Sequence, residues 1–210
     1  MTLPLPTPPV LLITDRNQAR WPLPEIVEAS LAGGCRWVSV REKNLASTDR
    51  RRLCRAIVKL GETYGATVTL HGDLAGAEAA RAHGVHVPFG TAPGAVKAIL
   101  GKQALVGVSV HSWDEAIRAQ EDGADYVTVS PIYETPSKPG HGPPLGTEIL
   151  GELCVALTVP VVALGGITRE TGAACLQAGA GAIAVMGTIM RADDPQAEMR
   201  ALIASCQSAP

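Results

Sequence analysis

Aromatic side chains are scarce in this chain. Phe, Trp and Tyr make up 3% of its 210 residues, while hydrophobic residues as a whole make up 46%. A core must therefore come from Val, Ile, Leu and Ala, which suit parallel strands covered by helices. A charge excess is missing too: 18 basic residues stand against 20 acidic ones, a net of −2. That balance argues against binding a nucleic-acid backbone. No apolar run reaches the ~18 residues of a membrane span. The opening Met1-Thr2-Leu3-Pro4-Leu5-Pro6 lacks the basic and apolar regions of a signal peptide. The five cysteines (35, 54, 154, 175 and 206) include no C-x-x-C. Neither a disulfide framework nor a cysteine zinc site is expected. These absences predict a cytoplasmic chain that meets small molecules rather than nucleic acid or membrane.

What is present is a rhythm. Val/Ile-rich runs alternate with Ala/Leu/Glu/Arg-rich stretches of helical character. Strands are predicted over 10–14, 37–41, 67–70, 84–87, 104–109, 125–129, 160–164 and 182–186. Helices are predicted over about 23–33, 48–64, 74–82, 92–100, 113–122, 147–156, 169–178 and 195–206. Start signals stand at Ser47-Thr48-Asp49, Ser112 and Thr168. Glycine recurs ahead of four strands, in Ala32-Gly33-Gly34, His83-Gly84, Asp122-Gly123-Ala124 and Ala178-Gly179-Ala180-Gly181. Such glycines suit the left-handed residue that follows a helix. Eight βα units without a glycine fingerprint after the first strand predict a single α/β domain, a closed (β/α)₈ TIM barrel. Residues 1–9 read as a Pro-rich lead, 10–206 as the barrel and 207–210 as a short tail. Both ends are expected to be loosely held.

Barrel active sites lie at the C-terminal ends of the strands. Gly165-Gly166-Ile167 follows strand seven and Met186-Gly187-Thr188 follows strand eight. Barrels often bind phosphate there; the bland reading is tight turns alone. Arg41 and Lys43 follow strand two and suit a phosphate or pyrophosphate, unless their charges pair locally. The long connection 130–146 carries Thr135, Pro136, Ser137, Lys138 and His141. It reads as a cover for a ligand or as a surface loop. Ser109 and His111 follow strand five. His71 and Asp73 follow strand three, and Asp73 suits either a metal ion or a helix cap. His83 and His86 straddle a helix end and a strand, which is no convincing metal pair.

Several segments together resemble a known family. They are Leu12-Ile13-Thr14-Asp15, Val38-Ser39-Val40-Arg41-Glu42-Lys43, Gly84-Val85-His86-Val87, and Gly107-Val108-Ser109-Val110-His111. Gly123-Ala124-Asp125-Tyr126-Val127, Ser130-Pro131-Ile132-Tyr133-Glu134-Thr135 with Lys138, Pro160-Val161-Val162-Ala163-Leu164-Gly165-Gly166-Ile167 and Val185-Met186-Gly187-Thr188-Ile189 complete the set. The chain resembles the thiamine-phosphate synthase superfamily, which also holds the TenI-type thiazole tautomerases, over about 10–206.

For a synthase, the resemblance implies that Mg²⁺ holds a pyrimidine pyrophosphate. Pyrophosphate leaves, and the nitrogen of a thiazole phosphate traps the pyrimidine cation. Arg41 and Lys43 would hold the pyrophosphate, joined by Ser109 and Lys138. Thr135, Gly166, Met186 and Gly187 would bind the thiazole phosphate, and Pro136, Ser137 and Gly165 beside them are further substrate-binding candidates. Ser39 stands where the family has glutamine. The family's metal-binding aspartates fall on Gly72 and near Thr91, leaving Asp73 as the nearest substitute. A tautomerase would need no metal but would need a proton-transferring histidine. Its family position is occupied by Pro131, so His71, His111 and His141 are the candidates. A silent phosphate-binding protein is the third reading. The resemblance is compatible with a homodimer.

Overall fold

Eight short runs of branched aliphatic residues form parallel strands in the computed structural model, which describes residues 2–135 and 143–207. They are β1 (Val10–Ile13), β2 (Trp37–Val40), β3 (Thr67–His71) and β4 (Gly84–Pro88), then β5 (Leu105–Val110), β6 (Tyr126–Val129), β7 (Val161–Leu164) and β8 (Ala182–Val185). Each pairs with the next, and β8 returns to β1, with Leu12 opposite Val185. The barrel is closed, so no strand edge is left open.

The covering helices are α1 (Leu23–Ala32), α2 (Ser47–Glu62), α3 (Leu74–Ala80), α4 (Pro93–Leu100) and α5 (Trp113–Glu121). They continue as α6 (Gly146–Ala156), α7 (Arg169–Gln177), a single-turn α8 (Gly187–Met190) and α9 (Pro195–Gln207). The sequence rhythm shows all of them but α8. Four residues are too few to show a helical period.

Strand alternation divides the core in two. Val38, Val40, Val68, Leu70, Val85, Val87, Val127 and Val129 belong to the larger cluster packed with the helices. Leu11, Trp37, Leu105, Tyr126, Val162 and Ala182 belong to a second cluster. These are the alternate, barrel-inward positions. Two of the chain's seven aromatic residues lie there. Trp37 and Tyr126 meet edge-to-face at 4.9 Å. Gly107 makes room for them, since a Cβ on it would stand 2.0 Å from the Tyr126 ring.

Three local expectations are corrected. The Pro-rich lead is not loosely held over its described part. Leu3 and Leu5 pack against the inner cluster, and the Leu3 amide donates to Asp125 at 3.1 Å. Ser47 does not cap α2; it is already helical, with Ala46 at the cap and no side-chain bond. Gly84 is not a left-handed residue. Arg81 takes that role after α3 at φ 57°, while Gly84 lies in β4, where a Cβ would come 2.0 Å from the Leu105 carbonyl oxygen.

Candidate functional site

At the C-terminal mouth of the barrel lies a pocket of about 460 Å³, a size that suits a small-molecule site. Its floor and walls continue the inward-facing alternation: Ile13, His71, His86, Pro88, Ser109, Leu164 and Ala184 line it from the strands. The loops add Arg41, Lys43, His111, Thr135, Gly165, Gly166, Met186 and Gly187. The structure thus gathers most of the sequence candidates into one cavity. Ser39 is not among the lining residues; it is buried in β2. Pro136, Ser137, Lys138 and His141 lie outside the described residues.

Arg41 and Lys43 flank Glu42, and the two neighbours and the middle residue part ways. Glu42 is buried, taking the Thr14 hydroxyl at 2.8 Å and the Arg16 amide at 3.2 Å. Thr14 Oγ1 in turn accepts from the Arg41 amide at 2.9 Å. This pin between the ends of β1 and β2 fixes the loop from which both cations line the pocket. Neither forms a salt bridge among the described residues. Repulsion from Arg41, then partial burial, holds the Lys43 ammonium below its usual range.

The rim after β7 and β8 is built from backbone. Gly165 and Gly166 take φ of 100° and 67°, which glycine adopts without steric cost. Their carbonyl oxygens are already paired, with the Tyr133 amide at 3.1 Å and the Thr171 hydroxyl at 3.0 Å. The Thr188 hydroxyl donates to the Ile167 carbonyl at 2.7 Å and ties the start of α8 to this loop. Thr168 caps α7 in a capping box with Thr171. Arg191 leans over Gly187, contacts Gln18 and lines the same rim.

The histidines differ sharply. His71 and His86 stack at 5.4 Å. Burial, then Arg41 and Lys43, pushes the His71 imidazole down to about 3. Burial, then His71 and Arg41, pushes His86 well below its usual value. Both rings are neutral at physiological pH. His111 is held otherwise: its Nδ1 lies 3.0 Å from the Ser130 carbonyl. A carbonyl only accepts, so Nδ1 carries a proton, and in the neutral ring Nε2 is the acceptor.

Asp73 is a cap and an ion-pair partner. Its carboxylate accepts from the Gly76 amide at 2.8 Å and from Arg50 at 3.0 Å. Gly72 contributes no side chain, and Thr91 is not among the pocket-lining residues. Among the described residues no group of three His, Cys, Asp or Glu could hold a metal ion. Glu134 is the one described carboxylate lining the pocket. Mg²⁺ asks for a near-octahedral shell of oxygens, usually anchored on one or two carboxylates. A lone Glu134 on the wall fits it poorly, and Asp73, expected as the nearest metal ligand, is engaged in its cap and ion pair and does not line the pocket.

The family described as thiamine monophosphate synthase matches residues 10–189. This chain belongs to that family. A putative thiamine-phosphate synthase of Geobacter sulfurreducens is 40% identical over 195 residues, covering 92% of each chain. The thiamine-phosphate synthase of a Roseiflexus species is 37% identical, covering 98% of this chain and 90% of its own. The solved thiamine phosphate pyrophosphorylase of Pyrococcus furiosus superposes with a TM-score of 0.86 at 27% identity, over 95% of this chain and 96% of that one. No helix among the described residues is long and apolar enough to cross a membrane.

Sequence reading missed several lining residues of this family member. His86 reads from sequence only as half of an unconvincing metal pair with His83, yet it lines the pocket floor. Its signal was its inward register in β4, shared with Pro88. Thr168 reads from sequence only as a helix start and Glu134 only as part of the family-like segment 130–135, while Arg191 belongs to no motif; chain turns after β6, β7 and α8 bring all three to the pocket.

Proposed function

We propose that this barrel joins a pyrimidine pyrophosphate to a thiazole phosphate, releasing pyrophosphate and forming thiamine phosphate. One observation carries the reading. A single cavity is lined by the cations Arg41 and Lys43 after β2 and by Gly165, Gly166 and Gly187 after β7 and β8. Two phosphate-bearing substrates need two anion-binding rims around a shared floor, and the names of the relatives agree with that arrangement.

In this scheme the C–O bond between the pyrimidine methylene carbon and the pyrophosphate breaks. Its electron pair leaves with the pyrophosphate, whose charge Arg41 and Lys43 receive. The thiazole nitrogen gives its lone pair to the methylene carbon. The glycine rim and Arg191 hold the thiazole phosphate so that this nitrogen faces the carbon. Ser109, on the floor, offers a hydroxyl to the pyrimidine side. Enclosure above neutral rings keeps water from the cation.

His71 is unsuited to proton transfer near neutrality, because its basicity lies far too low. His111, with a free Nε2, is the histidine that a tautomerase would use. The two enzyme readings separate on one variant. A synthase with His111→Gln still makes thiamine phosphate from the two substrates, measured by chromatography. Loss of all activity, with a tautomer conversion of thiazole phosphate in the unmodified chain, would overturn the synthase reading.

A further inference from the structure

We infer that the rim after β2 takes a pyrophosphate group directly on Arg41 and Lys43, with no divalent cation between anion and protein. The inference rests on the reaction proposed above for the identity of the anion. It rests on this chain's own charges for the absence of a metal bridge.

A divalent cation would need carboxylates, and those near the mouth are engaged elsewhere. Asp15 accepts from the Asn17 amide at 3.1 Å and from the Gln18 side chain at 2.8 Å. Glu42 is buried against Thr14 and the Arg16 amide. Asp73 caps α3 and pairs with Arg50. Glu115 accepts from the His111 amide at 2.7 Å. Among the described carboxylates Glu134 alone lines the pocket. The undescribed stretch 136–142 reads Pro-Ser-Lys-Pro-Gly-His-Gly and adds no acid.

The cations show the opposite state. Arg41 and Lys43 share one short loop without a carboxylate partner among the described residues, and Arg41 raises the cost of the Lys43 charge. A polyanion relieves that repulsion, whereas a divalent cation beside it would add to it. Arg41 presents a planar fork that binds phosphate oxygens in pairs, and Lys43 a point charge. Neutral His71 lies beside them and offers at most one N–H, with no charge of its own. The wall is thus already supplied with the positive charge that a bridging ion brings to acid-lined sites.

The test is calorimetric titration of the full chain with inorganic pyrophosphate at neutral pH, once in EDTA and once in millimolar magnesium. Saturable binding in EDTA, no tighter with magnesium, is the expected result. Arg41→Ala and Lys43→Met should each weaken the EDTA titration by about tenfold or more, as loss of a charge-assisted hydrogen bond implies. Lys43→Arg should retain most of the affinity. Binding that appears only with magnesium, or tightens tenfold with it, overturns the inference and leaves the synthase reading standing. Failure to bind pyrophosphate in either buffer overturns both.

Discussion

The His86 imidazole stands 2.8 Å from the Ser109 hydroxyl, at the floor of the pocket and between two other hydroxyls. Tyr126 lies 3.1 Å from Nδ1 and Thr128 lies 3.2 Å from Nε2. Burial, above all, pushes the Tyr126 phenol up, so it keeps its proton. With Tyr126 donating to Nδ1, Nε2 donates to Ser109, and the Ser109 proton is free to face a ligand. The Nε2–H tautomer is therefore expected in a ¹⁵N spectrum of His86. Ser109→Ala should lower kcat/KM by about tenfold with little change in stability, since one net hydrogen bond to a ligand is lost. An unchanged kcat/KM would remove Ser109 from the site. His86→Leu should instead destabilise the fold by about 1–3 kcal/mol, because it removes a partner from the buried Thr128 hydroxyl and leaves Tyr126 with Thr69 alone.

The two glycines of the phosphate rim should respond differently to alanine. At Gly166 a Cβ would meet the Glu134 carbonyl oxygen and Tyr133 Cβ, both at 2.6 Å, on a backbone with φ of 67°. The left-handed conformation alone costs an alanine about 1–2 kcal/mol, and the neighbours are backbone that cannot swing aside. Gly166→Ala should lower the melting temperature and raise KM for the thiazole phosphate. At Gly187 the added Cβ would meet the Arg191 guanidinium at about 2.4 Å, the far end of a flexible chain. Gly187→Ala should leave the melting temperature nearly unchanged. Equal thermal losses would contradict this distinction.

Stability should depend on pH through the stacked histidines. The folded chain holds His71 down to about 3, while the unfolded chain takes up a proton near the ordinary value. Below that ordinary value the unfolded state binds more protons, so stability falls as pH falls. At about pH 5 the loss from His71 alone reaches about 2 kcal/mol. Urea midpoints at neutral and acid pH, compared between the natural chain and His71→Gln, measure it. The variant should show the shallower pH dependence, and an equal slope in both chains would refute the assignment.

Asp73→Ala separates a cap from a metal ligand. Removing the carboxylate frees the Gly76 amide and Arg50, which should destabilise the fold by about 1–2 kcal/mol. Turnover below the melting temperature should persist, with the same response to EDTA as the natural chain. Abolished turnover with unaltered stability would point to a ligand role instead.

Much of this architecture was legible in the chain. Strands such as 84–87 are short, branched and bounded by glycine, and their period marks which residues face inward. The rims followed from the same logic, because loops after strands two, seven and eight must meet at one mouth. What escaped was set by contacts between distant residues. Gly84 looks like a helix terminator, but it is glycine because the Leu105 backbone lies against it. Leu3 looks like part of a loose end, but its amide finds Asp125, a residue 122 positions away. Arg191 stands one helical turn beyond Gly187, past the recognisable rim. Asp73 was ambiguous because capping and metal binding ask for the same carboxylate, and only Arg50 and Gly76 decide between them.

The most direct measurement follows both products at once. The chain is mixed with pyrimidine pyrophosphate and thiazole phosphate, and thiamine phosphate and pyrophosphate are quantified over time. The two should appear in equal amounts, each dependent on both substrates, with Arg41→Ala and Gly166→Ala each slowing the pair together. Pyrophosphate released without thiamine phosphate, or no product while both substrates bind, would contradict it.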